Sequence, residues 1–158
     1  MRAIMLSLLL ALSGCAAAAS EHTPGLTAAE VEQPESNGAY WRLHLDTKDK
    51  GIGGYQIVLR WNADVAEIAD ILPCTPKHFG GSPQFMRPSL TTGMTRVLAI
   101  DTSGTKPRSG PWHLLTVVFR KVGTGTLSAK AELEKLLDKD SKPTTGKLTD
   151  AEFQYVFP

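Results

Sequence analysis

Two cysteines, four histidines and a scatter of carboxylates are the side chains of this 158-residue chain that could attack, coordinate or move protons. Their spacing argues against most such chemistry. His22, His44, His78 and His113 fall in no zinc-ligand spacing, and Cys74 has no CxxC partner. "GGSPQ" (80–84) lacks the strand–elbow–helix context of a hydrolase serine, and there is no phosphate loop. Asp138-Lys139-Asp140 begins like a calcium loop, but Lys142 stands where a third oxygen ligand is needed and no glycine follows, so it reads as a hairpin turn. Glu67 and Asp70 lie near a strand end and read as solvated charge. A looser calcium site could draw on Asp46, Asp49 and the Gly51 carbonyl; no other metal or cofactor is expected, and no enzyme. Cys15 is different. Ser13 and Gly14 leave the backbone before it accessible, and its thiol is the one strong nucleophile nearby.

The residues around Cys15 explain it. "MRAIMLSLLLALSGC" has one basic residue, Arg2, then an apolar run from Ala3 to Leu12, far short of the about 20 residues that span a bilayer. It reads as a bacterial secretory signal. Leu12-Ser13-Gly14-Cys15 resembles a lipobox, the recognition sequence of bacterial lipoproteins. The resemblance implies that 1–14 is removed and that Cys15 becomes the first mature residue, lipidated on sulfur and amine. Acyl chains contribute about 0.8 kcal/mol per buried CH₂, so three of them hold a protein on the bilayer essentially permanently. Ala16 follows the cysteine; by resemblance to Gram-negative sorting rules this directs the chain to the outer membrane of a host that has one. Cleavage after Ala19 is the competing reading and gives a soluble protein. With Cys15 acylated, Cys74 has no disulfide partner.

The elements come next. Residues 15–38 are rich in alanine, threonine, glutamate, proline and glycine and read as a tether. The domain is 39–158, about 120 residues, enough to bury about two-thirds of its unfolded surface. Without Arg2 the acidic and basic residues balance at 16 each, so no nucleic-acid partner is expected. Strand patterns run through 39–46, 51–61, 66–72, 95–101, 111–121, 125–133 and 150–157. In "GIGGYQIVLRW" Tyr55, Ile57, Leu59 and Trp61 share one face, and Gly51, Gly53 and Gly54 allow positive φ and close backbone approach where a turn enters the strand. "PWHLLTVVFRK" (111–121) is apolar on both faces and reads as a central strand. "AKAELEKLLDK" contains strong helix formers, but its unbroken period-two alternation favours a strand. Short strands between Gly, Pro and Asp turns predict an all-β fold, an antiparallel β-sandwich of jelly-roll type, with Ile57, Leu59, Leu98, Leu115, Val117 and Phe119 in its core. The long connection 73–94 carries Phe79, Phe85 and Met86; these either cap one end of the sandwich or meet a partner.

The order of these segments resembles a cohesin domain, within the wider family of carbohydrate-binding-module-like sandwiches. "GIGGYQIVLRWNADVAEIADI" (51–71) resembles the cohesin pattern GxxGYQxxLxYDPxxLxxxxV, "PWHLLTVVFRKV" resembles GxLxTxxFKV, and "AKAELEKLLDKDSKPTTG" resembles AKxELEKLxDxDGKPI. The match spans about residues 40–157. Asn62-Ala63 replaces the family's Asp-Pro, and the first cohesin strand is barely recognisable in 26–38.

Three readings follow. The resemblance implies a non-catalytic, envelope-displayed protein-binding module whose partner is a small helical, dockerin-like protein with duplicated calcium loops, bound through a sheet face and the 73–94 loop. A glycan-binding sandwich would instead expose Tyr40, Trp41 and Trp112 as a flat stacking strip. The third reading is a structural lipoprotein of an envelope complex.

Overall fold

A computed structural model describes residues 37–74, 79–102 and 110–158. The leader, the lipidation site Cys15 and almost all of the tether lie outside the described residues, as do His22 and His78.

Among the described residues nine strands form two antiparallel sheets. They are β1 (Gly38–Asp46), β2 (Gly54–Trp61), β3 (Ala66–Pro73), β4 (Gln84–Phe85), β5 (Met94–Ile100), β6 (Trp112–Lys121), β7 (Thr126–Leu137), β8 (Lys147–Thr149) and β9 (Glu152–Val156), with a 3-10 turn at Arg87–Thr91. The four-stranded sheet has the order β3-β6-β1-β8 and the five-stranded sheet β4-β5-β2-β7-β9. The chain changes sheet at nearly every connection, and only β4 and β5 are neighbours both in sequence and in a sheet. This is the jelly-roll sandwich expected from the strand pattern.

Alternation decides what fills the space between the sheets. Trp41, Leu43 and Leu45 of β1, Ile57 and Leu59 of β2, Leu115, Val117 and Phe119 of β6, and Leu127 of β7 are buried together. The segment 126–137 is a strand despite its helix formers: Leu127, Ala129 and Ala131 face the core, Ala129 and Ala131 paired with β2 and Leu127 with β9. Phe119 lies at the centre of an aromatic cluster, stacked on Trp41 and Phe153 and meeting Trp61 edge-on.

Leu98 is not in the core. Register sets its face: Ile57 pairs with Val97 and Tyr55 with Ala99, so Val97 and Ala99 point inward. Leu98 pairs with Gln56 and points out, as does every second residue of β5.

The glycines before β2 work through proximity, not positive φ. The left-handed residues are Lys48 and Asp49, the centre of the turn closed by Lys50 N–H donating to the Thr47 carbonyl at 3.1 Å. At Gly53 a Cβ would sit 2.6 Å from the Asp138 carbonyl oxygen. Asn62, where cohesins carry aspartate, donates through Nδ2 to the Thr126 carbonyl at 3.0 Å and accepts at Oδ1 from Ser128 N–H at 2.8 Å. An aspartate cannot make both bonds, so the amide is what ties the end of β2 to β7. Lys121 brings residues 37 and 158 together. Its N–H donates to the Asn37 carbonyl at 2.9 Å and its Nζ to the Pro158 carbonyl at 3.0 Å.

Candidate functional site

The outer face of the five-stranded sheet is where apolar surface meets water. Met94, Leu98 and Ile100 lie along the outward side of β5 at 43%, 38% and 65% exposure. Cross-strand register extends this edge into a surface. Ile100 and Leu137 flank Gly54, which leaves a notch between them; Leu98 stands between Gln84 and Gln56; Val58 lies between Arg96 and Glu132. Val58 is only 2% exposed although no second layer covers it among the described residues. The aliphatic stems of its charged neighbours flank it, so the face is apolar beneath a charged fringe.

The charges are organised by an irregularity in β7. The ladder to β2 runs Gln56–Lys135 and then Ile57–Leu133, which leaves Glu134 as an extra residue. Its carboxylate turns across the outer face and accepts both Arg96 Nε at 3.0 Å and Arg96 Nη2 at 3.1 Å, as well as Gln56 Nε2. The Arg96 bonds, followed by the Gln56 bond, hold the Glu134 carboxyl below its ordinary range, and the same pairing raises Arg96. Lys130 and Glu132 pair at 3.3 Å, and Arg60 Nη1 donates to Met94 Sδ at 2.9 Å. Such a face can hold a protein surface by apolar contact and fix its register with the oriented Arg96–Glu134 fork.

The residues singled out from the sequence fall in different places. Trp41 and Trp112 are buried, so the stacking strip with Tyr40 does not form. Tyr40 and Trp41 are consecutive in β1 and take opposite faces; Trp41 Nε1–H donates to the Asp150 carbonyl at 2.7 Å, and half-buried Tyr40 stands on the outer face of the other sheet. Phe79 is also buried, with its ring 5.3 Å from that of Tyr55. The 73–94 connection thus folds back at Phe79 and caps the sandwich, burying Cys74 there as well. That burial pushes the Tyr55 hydroxyl well above its ordinary value, with a smaller contribution from Cys74. Phe85 belongs to edge strand β4, half-buried against the core, with the Arg87 guanidinium 5.9 Å from its ring centre; Met86 beside it is exposed.

The turn read as a loose calcium site uses Asp46 locally. Asp46 Oδ1 accepts Lys48 N–H at 2.9 Å within its own turn, and no group of three potential ligand residues occurs among the described residues. Asp138 Oδ1 accepts the amides of Asp140 and Lys142, each at 2.9 Å, which makes the turn read from the sequence. Asp49, Lys50, Asp138, Asp140 and Pro143 line an open cleft of about 530 Å³ at this end of the sandwich. Sequence reasoning missed Arg96, Glu134, Met94 and Ile100. The alternation of "MTRVLAI" was the available signal, but alternation alone does not say which face is inside.

No family model and no curated protein matches the chain. Solved structures do. A chain of the CaDoc0917–CaCohA2 complex is 15% identical, with a TM-score of 0.57 over 72% of this chain and 85% of that one. A non-cellulosomal cohesin from the hyperthermophilic archaeon Archaeoglobus fulgidus is 18% identical, with a TM-score of 0.53 over 71% and 75%. The sixth cohesin of Acetivibrio cellulolyticus scaffoldin B, solved with a dockerin, is 15% identical, with a TM-score of 0.52 over 73% and 86%. At these identities the likeness concerns architecture: the described domain has the β-sandwich fold of cohesin modules.

Proposed function

We propose that this chain is a non-catalytic, cohesin-like binding module that presents the outer face of its five-stranded sheet to a protein partner at the cell envelope, held there by an acylated Cys15. The observation that carries the reading is the row Met94, Leu98 and Ile100, exposed on one sheet face and fringed by charge. A protein partner suits this face better than a glycan, because the tryptophans a sugar would stack on are inside. The fold likeness favours a small helical partner of dockerin type, and two of the matched structures are named as cohesin–dockerin complexes. The anchor rests on the lipobox-like "LSGC" closing a short apolar run. The 73–94 loop contributes less than its composition promises: Phe79 is capping the core, which leaves Met86 and the rim of Phe85.

The test is capture from an envelope extract by the wild-type chain, by Leu98→Asp/Ile100→Lys, and by Phe85→Ala/Met86→Ala, all at matched thermal midpoints. The face variant should lose the captured protein and the loop variant should keep it. Undiminished capture by a folded face variant rejects the surface.

A further inference from the structure

The outer face of the four-stranded sheet brings together two histidines that are 69 positions apart in sequence. His44 of β1 and His113 of β6 are directly opposed in register, and their rings lie 5.7 Å apart at a tilt of 50°. Two imidazoles bound to one tetrahedral zinc at about 2.0–2.1 Å place their ring centres about 5 Å apart, close to the separation seen here. The His44 ring is already oriented. Its Nδ1–H donates to Asp150 Oδ2 at 2.9 Å, which leaves Nε2 as the coordinating nitrogen. A carboxylate behind the imidazole fixes the tautomer and the ring orientation, as it does behind most metal-bound histidines. Asp150 is itself held: it adopts a left-handed φ of 56°, and its carbonyl accepts Trp41 Nε1–H.

His113 Nε2 is hydrogen-bonded to Thr116 Oγ1 at 2.9 Å, so a metal there exchanges hydrogen bonds for coordination. Arg42, two residues along the same face of β1, opposes a bound cation, and the Asp150 carboxylate offsets it. Among the described residues no group of three potential ligand residues occurs, so water completes the sphere.

We propose that His44 and His113 form an open two-imidazole site for a divalent transition metal of the zinc–copper–nickel group, with Asp150 as the residue that positions His44. The site lies on the sheet opposite the proposed partner face and does not depend on that reading.

Zinc titrated calorimetrically into the full chain carrying Cys15→Ser, which removes one competing thiol, should bind once per chain. His44→Gln and His113→Gln should each abolish that binding. Asp150→Asn, which tolerates the left-handed backbone, should weaken it about tenfold at an unchanged metal-free thermal midpoint. Imidazole nitrogen shifts should show that His44 has lost its Nδ1–H tautomer preference in the same variant. His22→Gln/His78→Gln should bind as the parent does. Should His44→Gln fail to fold, His113→Gln keeps the His44–Asp150 pair and supplies the same test. No saturable zinc binding by the parent, or binding retained in His113→Gln, overturns the proposal.

Discussion

Replacing Phe119 by alanine tests the packing of the whole sandwich. The side chain is 1% exposed, at the middle of β6, and its ring contacts three others: Trp41 at 6.4 Å, Phe153 at 6.1 Å and Trp61 at 6.3 Å. Trp41 belongs to the same sheet and the other two to the facing one, so the truncation opens a cavity between the layers. Phe→Ala in a core costs about 3–5 kcal/mol, the upper part applying where neighbours cannot collapse. Collapse is restricted here, because Trp41 is pinned by its Nε1–H bond to Asp150 and Trp61 by its Nε1–H bond to the Ala66 carbonyl at 2.9 Å. About 4 kcal/mol is therefore expected. With an unfolding entropy of about 2.1 cal/mol/K per residue over about 120 residues, the thermal midpoint should fall by about 15 °C. Leu98→Ala is the paired control: Leu98 points out from β5 and should cost less than about 1 kcal/mol. Urea denaturation of both variants measures the difference. If Phe119→Ala lost less than Leu98→Ala, the assignment of inner and outer faces would be wrong.

Gly53→Ala should destabilise by about 1–3 kcal/mol, since its Cβ would meet the Asp138 carbonyl oxygen at 2.6 Å and the Lys139 Cα at 3.0 Å, backbone that cannot swing aside as a side chain would; chemical denaturation reads this, and a neutral result refutes the close approach. In a carboxylate-detected pH titration, Glu134 should titrate below the ordinary value of about 4.3 in the wild type and move up toward it in Arg96→Gln. Because the folded-state pKa is the depressed one, the stabilising contribution of this pair is present above the unfolded pKa and is lost as pH falls through the folded one. Cys15→Ser should block lipidation and leave the leader attached, as intact mass will show; a wild-type mature chain starting at Ser20 would instead place cleavage after Ala19.

Strand identity was legible because burial imposes period two. The aromatics of "GYQIVLRW" and the alternation of "TLSAKAEL" placed large or apolar groups on the face that turned out to be inner, whereas Trp41 of "AYWRLHLD", offered as a stacking residue, is inside. What the pattern could not supply was the face of a strand apolar on both sides. β5 puts Val97 and Ala99 inside and the larger Leu98 and Ile100 outside, because its register with β2 decides. Short strands were invisible for a related reason. β4 has two residues and β8 three, too few to show any period, and each exists only because a longer neighbour offers an edge. The Glu134 bulge was equally hidden: one extra residue breaks the alternation after Leu133 and returns Leu136 to the inside, and only the partner strand reveals it. The same holds for the His44–His113 pair, whose proximity belongs to the ladder and not to the spacing along the chain.

Lys121 binds the Asn37 carbonyl with its backbone and the Pro158 carbonyl with its side chain, so residues 37 and 158 meet beside one residue. The segment 37–158, closed in this way, is topologically a ring with one cut. Joining residues 37 and 158 through a short glycine-serine link and reopening the chain at an exposed turn, such as the one around Lys139, should preserve the sandwich as a circular permutant. Grafted whole into a surface loop of a host protein, the module would need almost no spacer on either flank. A pulling force applied across its two ends would meet the junction at Lys121 before it loaded the rest of the sandwich.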